Sequence, residues 1–342
     1  MISDFLKKID RFFPTPGFLT FNPVAIDITP RSIRLMSLEK NEFGLTPKFY
    51  KEIPLKKKCE LSSFDLSKEI DTESIAEVID SLKNLKKEFK LKFVVVSLPE
   101  TKTYIYRTKL PAESSSNLAS AIRFGLEENV PLKTDDVNFD FFVMEDKNTK
   151  DDDNDLDVIV SVFPKDIINL YTKVLKKAGL FPLSFQSESV SVSRSIVRYG
   201  DKQTYLLLRF LKDQVNVGVV EDGAIQYASI VPIDADKIIK DFSSEEANEL
   251  NEALNKVLIY WFTNKNDGTQ HNKIETALIT GNYANSKGLK EFLERKLKID
   301  VEIANVWSNC FSAENYIPKI EREDALNYAV SIGLAIKAES HA

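Results

Sequence analysis

Apolar and polar residues alternate over Val24–Leu38, VAIDITPRSIRLMSL, on both sides of a short polar turn. Period-two alternation of this kind predicts two half-buried strands and a tight connection. A third strand is expected near Lys48–Pro54. Over Ser74–Lys90 the period changes: Ile75, Val78, Ile79, Leu82 and Leu85 recur at helical spacing. Leu91–Leu98, LKFVVVSL, is then nearly continuous in apolar residues, the pattern of a strand in a sheet covered on both faces.

The next stretch reads as a smaller unit. Thr103–Leu110 is expected to be a strand and Ser116–Glu128 a helix. Val137–Met144 and Leu156–Phe163 follow as strands, then Pro164–Ala178 as a helix and Leu183–Gln186 as a strand. A βαββαβ order can fold into a small sheet with both helices on one face. Phe124, Phe139, Phe141, Ile159 and Leu170 are its expected buried residues. The loop Glu145–Asp157 contains DDDNDLD. A calcium loop starting at Asp151 needs Gly at its sixth position and Glu at its twelfth, where Leu156 and Val162 stand, so a solvated hairpin tip is expected.

The second half repeats the first in outline. Thr204–Val220 and Ala224–Ile233 are expected to be strands around tight turns, Glu221–Gly223 carrying a strong hairpin signal. A helix Ser243–Phe262 ends in Tyr260-Trp261-Phe262, aromatics expected to cover a sheet. Thr276–Thr280 is a strand leading into Gly281, Ser286–Leu297 a helix, Asp300–Ile303 a strand, and Ala325–Ile336 a helix of small residues.

Composition narrows the chemistry. The 342 residues carry a net charge of −6 with both signs mixed along the chain, which argues against general nucleic-acid binding. His271 and His341 are the only histidines, so a histidine triad or histidine metal site is not expected. Cys59 and Cys310 form no CxxC and read as reduced thiols. No run reaches the roughly 18 apolar residues of a membrane span. The N-terminus is amphipathic: Ile2, Phe5, Leu6, Ile9, Phe12 and Phe13 share a helical face. Its three basic and two acidic residues give weak charge bias. Both a membrane-surface helix and a helix docked on protein fit that pattern.

The candidate chemistry lies in the first turn, where Asp27 ends a strand and Thr29 and Ser32 follow. A turn that approaches phosphate through main-chain N–H groups usually carries Gly. Here Thr29-Pro30-Arg31 stands instead, and Pro30 has no N–H to offer.

The order of these elements resembles the actin-like ATPase superfamily. Within it the chain is most similar to the PilM family of type IV pilus proteins, and more distantly to the FtsA branch. The resemblance runs from about Val24 to Lys337. It is most specific over Leu118–Met144, LASAIRFGLEENVPLKTDDVNFDFFVM, and continues in Lys165–Ser193, Asn255–Phe262 and Ala277–Leu289. It implies an α/β fold of two ribonuclease-H-like domains with an inserted small α+β subdomain. The expected division is an N-terminal helix over 1–20, a first domain over 21–100 and 182–202, the insert over 101–181, and a second domain over 203–338. The last helix, about 324–338, is free to pack back on the first domain.

By the same resemblance, Asp27, Thr29, Ser32, Arg34, Lys212, Gly281 and Asn282 are the candidate nucleotide residues, for ATP with Mg²⁺ held through Asp27. The family's loop patterns are altered here. Glycine becomes Thr29 in the first loop. In the second, the acid becomes Arg209 and the glycine Leu211. One glycine of three, Gly281, remains in the third, beside Asn282 and Tyr283. Bulk at three loops that share one ligand implies weak or absent ATP binding. Arg31, Lys212 and Arg209 support the opposite reading only as added positive charge, and specific phosphate chemistry needs placed donors.

The function implied is a cytoplasmic scaffold at the inner-membrane platform of a pilus machine. Its partner would be the cytoplasmic tail of a PilN-like membrane protein, lying extended in a groove between core and insert. Self-association into a ring and contact with the pilus assembly ATPase are further implied partners. The alternatives are an active actin-like ATPase, which should keep an acid where Arg209 stands, and an FtsA-like filament protein held by a terminal helix.

Overall fold

The structure is a computed structural model. It describes residues 23–59, 61, 73–111, 114, 117–144, 155–263 and 272–339. The expected N-terminal helix, most of the acidic hairpin tip, His271 and His341 lie outside the described residues.

The chain opens with β1 (Val24–Ile28), β2 (Ser32–Asn41), β3 (Gly44–Pro54), α1 (Glu73–Phe89) and β4 (Phe93–Leu98). Next come β5 (Tyr104–Leu110), α2 (Leu118–Asn129), β6 (Val137–Val143), β7 (Leu156–Pro164), α3 (Lys165–Lys177), β8 (Phe181–Ser187) and α4 (Glu188–Ile196). The second half holds β9 (Thr204–Phe210), β10 (Val215–Glu221), β11 (Ala224–Val231), α5 (Ala235–Lys240), α6 (Glu245–Thr263) and β12 (Ile274–Gly281). It closes with α7 (Leu289–Leu297), β13 (Asp300–Ile303), α8 (Arg322–Ala325) and α9 (Ala329–Glu339).

Two five-stranded sheets carry the fold, in the orders β3-β2-β1-β4-β8 and β11-β10-β9-β12-β13. Counted within each half, both read third, second, first, fourth, fifth. In each, an antiparallel three-strand meander is extended by two parallel strands. The halves therefore superimpose in topology, as expected of two ribonuclease-H-like units. The registers agree in detail: Asp27 lies opposite Arg34 across the first hairpin, and Arg209 opposite Asn216 across the second.

A third sheet, β5-β7-β6, is separate. Ile122 and Leu126 of α2 cover Val158, Val160 and Val162 there, with Phe139 and Phe141 partly buried at the margin. The expectation that both helices share this sheet is corrected for α3. Leu170, Tyr171 and Val174 pack with Val78 and Leu82 of α1 in the first lobe's core, and β8 joins the first sheet. A βαββαβ string and a β-strand hairpin followed by a core helix have the same period in sequence, so alternation alone did not separate them. Ile159 is buried as expected. Phe124 is 91% exposed, because it occupies the solvent face of α2 while Ile122 and Leu126 occupy the sheet face.

The helix α4 was not legible as one, since ESVSVSRSI alternates like a strand. Its start is fixed by the Ser187 side chain, which accepts from the Val190 N–H. Small residues then let it cross α9 closely. A Cβ on Gly333 would fall 1.8 Å from the Ser191 carbonyl oxygen. The C-terminal helix packs on α4 and on β1, β2 and β4, so it closes over the first sheet.

Candidate functional site

The two lobes meet where the turn after β1 faces the turn after β9, and a cavity of about 440 Å³ lies between them. The first turn is closed on itself. The Thr29 N–H donates to the Ser32 carbonyl at 2.9 Å. Thr29 Oγ1 accepts from the Ser32 N–H at 2.9 Å and from the Arg31 N–H at 3.3 Å. Pro30 has no N–H, so no main-chain donor from Thr29 to Ser32 is left for a phosphate. Across the cavity, the Leu211 N–H donates to Gln214 O at 2.9 Å. Tyr283 donates to Asp236 Oδ1 at 2.6 Å, and Lys212 Nζ lies 3.3 Å from Asp236 Oδ2.

Beneath the turns is a buried charge network. Asp27 has no exposed surface. Its Oδ1 accepts from Ser97 Oγ at 2.7 Å and its Oδ2 from Arg209 Nη2 at 3.1 Å. Arg209 Nη1 donates to Glu188 Oε2 at 3.0 Å, which also accepts from Asn216 Nδ2 at 2.7 Å. Arg34 Nε donates to Glu52 Oε1 at 3.0 Å, while its Nη1 is 3.9 Å from Asp27 Oδ2 and has no hydrogen-bond partner. Glu100 Oε2 accepts the Ser189 N–H at 2.9 Å, and its buried Oε1 has no hydrogen-bond partner. At the surface, Arg31 makes a two-point bond to Asp213, at 2.8 and 3.0 Å.

Four carboxyl groups thus surround two guanidinium groups, and two of the carboxyls, Glu188 and Glu100, titrate above the usual carboxylate range. Burial pushes Glu188 up to about 7, with Arg209 opposing and the Asp27 and Glu100 charges adding to the rise. Burial also raises Glu100, against its bonds from Ser189. An unfolded glutamate titrates near about 4.3. Between there and pH about 7 the folded chain therefore holds more protons than the unfolded chain, and stability falls as pH rises through that window. This contribution of Glu188 is lost as pH rises through that window and is gone above pH about 7. Glu188→Gln should flatten this slope, read as urea midpoints at pH 5 and pH 8. An unchanged slope in the variant would refute the assignment.

The structure gathers Asp27, Thr29, Ser32, Arg34, Lys212 and Asn282 around one cleft, but not as a nucleotide cradle. Asp27 lies outside the residues lining the cavity. A divalent ion would share its carboxylate with the Arg209 guanidinium, so these residues do not fit Mg²⁺. Gly281 also lies behind the cavity wall. Its φ of +91° and its approach to Phe210, where a Cβ would sit 2.3 Å from the carbonyl oxygen, are demands of the fold. Ser97, Glu100, Glu188 and Asn216 were missed in sequence. The one available signal was the Ser187 cap, which places Glu188 in the first helical turn, where carboxylates are favoured.

A family model described as Type IV pilus assembly protein PilM matches residues 25–227 and 228–339. Among solved structures, the PilM-PilN type IV pilus biogenesis complex is similar over 93% of this chain and 98% of that chain, at TM-score 0.70 and 14% identity. Ethanolamine utilization protein EutJ from Carboxydothermus hydrogenoformans aligns over 94% and 91%, at TM-score 0.46 and 14% identity. The cytoplasmic domain of EpsL, an inner membrane component of the Vibrio cholerae type II secretion system, aligns over 93% and 94%, at TM-score 0.45 and 11% identity. No curated protein matches the chain in sequence.

Proposed function

This chain belongs to the PilM family of type IV pilus assembly proteins, and on that premise we propose that it is a scaffold of the pilus assembly platform that binds the cytoplasmic tail of a PilN-like membrane protein. The observation that carries the reading is a second cleft, about 690 Å³, between β5 and β11. Both are edge strands of their sheets. An extended tail lying along this cleft can pair its main chain with an exposed strand edge, the strand-addition mode of peptide recognition. Tyr104, Tyr106, Tyr227 and Tyr260 supply the side-chain contacts, flat amphipathic surfaces suited to a peptide. Arg107 bridges the cleft to Glu221 at 3.3 Å. Among the described residues no helix is long and apolar enough to cross a membrane. In this reading the partner's tail holds the chain at the inner membrane, from the cytoplasmic side.

In this reading the interlobe cleft does not run an ATPase cycle. Calorimetry tests both halves of the proposal on one preparation. A synthetic peptide of the PilN-like protein's N-terminal segment should bind with a low-micromolar Kd. Tyr260→Ala, at a half-exposed position, should weaken it about tenfold, or about 1.4 kcal/mol. Mg-ATP should bind at least about tenfold more weakly than it does to a glycine-complete relative. A folded chain that ignores the peptide at 100 µM (an illustrative ceiling, roughly 5.5 kcal/mol of binding) overturns the scaffold reading. Turnover of ATP abolished by Asp27→Ala overturns the other half.

A further inference from the structure

Two of the ion pairs that cross between the lobes share a feature. Asp27 and Arg209 are 182 positions apart, and so are Arg31 and Asp213. Both pairs therefore join equivalent positions of the duplicated halves, the first on the opening strands β1 and β9, the second in the turns that follow them. In a strictly repeated sequence each residue would face its own copy, acid against acid at the first position and like charge against like charge at the second. Such a junction repels itself and needs a bound counter-ion to close. Here each position has opposite charges in the two halves, so each meets its complement.

From this we propose that the lobes are clasped by the chain's own charges, with the Arg209 guanidinium in place of a bound cation, so that closure needs neither metal nor nucleotide. The inner pair is buried: Asp27 is 0% and Arg209 3% exposed, and Glu188 and Asn216 complete the seat on the other side of the guanidinium. The outer pair has planar two-point geometry, the arrangement in which an arginine–carboxylate contact is most directional. Glycine-free turns fit the same end, since Thr29 spends the turn's N–H groups internally. The clasp also sets the peptide cleft, a step that rests on the proposed function above. β5 belongs to the insert carried by the first lobe, and β11 to the second lobe, so the gap between them is fixed by how the lobes meet.

The test is an interlobe distance. Lys56 and Lys240 are exposed, one on each lobe, and Cys59 and Cys310 are buried, so Lys56→Cys and Lys240→Cys take spin labels selectively. The full chain should give one narrow distance distribution that is the same in EDTA and in 5 mM Mg-ATP (a concentration about fiftyfold above a Kd on the order of 0.1 mM). Arg209→Ala should broaden it, and added methylguanidine should narrow it again. Arg31→Asp should broaden it, and Arg31→Asp with Asp213→Arg should bring it back toward the wild-type value. A broad wild-type distribution that Mg-ATP narrows overturns the clasp. So does a distribution that neither Arg31→Asp nor Arg209→Ala alters. Should Arg209→Ala fail to fold, the Arg31 and Asp213 variants decide alone. The tail peptide is titrated into the same variants. An affinity that falls about fivefold in Arg31→Asp (about 1 kcal/mol) and recovers in the double variant supports the link to the groove. An unchanged affinity in an opened chain overturns that link and leaves the clasp. A wild type that is narrow yet binds no peptide overturns the scaffold reading and leaves the clasp.

Discussion

Arg209→Ala is expected to lower the free energy of unfolding by about 3–5 kcal/mol, the range for stripping one partner from a buried ion pair. The size follows from what is left behind. Arg209 is the hydrogen-bonding cation on both Asp27 and Glu188. Without it, Asp27 keeps Ser97 and a distant Arg34, and Glu188 keeps Asn216. Two carboxyl groups then sit in the interior with their charge uncompensated, and one or both must take up a proton or draw in water. A surface arginine in the same turn would be worth about 0–1 kcal/mol. Urea unfolding at pH 7, with an unchanged denaturant slope, distinguishes these cases. A double-mutant cycle refines the result. Asp27→Asn combined with Arg209→Gln should cost less than the sum of the two singles by more than about 1 kcal/mol, because each single strands the other's charge. Additivity within about 0.5 kcal/mol would show that the two residues are not energetically paired.

The fold was more legible than the site, for a physical reason. Strands covered on one or both faces leave their pattern in consecutive residues, and VAIDITPRSIRLMSL and LKFVVVSL show it over β1, β2 and β4. Helices with one apolar stripe, such as α1 with Ile75, Val78, Ile79, Leu82 and Leu85, do the same. Helix α4 failed this test because both its faces are buried: Ser191 passes close to Gly333 of α9, Ser189, Ser193 and Ser195 are buried as well, and small buried residues carry no amphipathic period. The short α5 was missed for its length. The assignment of α3 to the wrong sheet was a question of long-range contact, on which local pattern is silent. In the site, the sequence located Asp27 and the substitutions at Thr29, Leu211 and Arg209. It did not reveal that Asp27 and Arg209 touch, since residues far apart in sequence pair only through the fold. Nor did it distinguish Arg209 as a solvated charge from Arg209 as the centre of a buried network. That distinction depends on Glu188, whose role appears only once α4 is known to begin at the cleft.

Gly281→Ala is expected to be the most damaging single-methyl change in the cleft, costing about 2–4 kcal/mol from combined backbone strain and overpacking. Gly281 is the glycine that survives in the third loop, and survival in a nucleotide loop would ordinarily be read as retained binding. The geometry gives a different cause. The residue holds φ at +91°, a conformation L side chains rarely adopt. It also ends β12 directly against β9, opposite Phe210, where a new Cβ would meet Phe210 O at 2.3 Å and Phe210 N at 3.1 Å. Both neighbours are backbone atoms of the central strand of the second sheet, and they cannot swing aside as a side chain would. Relief requires moving β12 away from β9, next to Arg209, so part of the cost falls on the ion pair with Asp27. Asn282, one residue on and exposed at the cavity, serves as the control: Asn282→Ala should change stability by no more than about 0.5 kcal/mol. If Gly281 were kept for phosphate, Gly281→Ala would leave stability near wild type and weaken ATP alone. Urea midpoints and ATP titrations on the two variants separate these outcomes, and a stable Gly281→Ala chain would refute the structural account of this glycine.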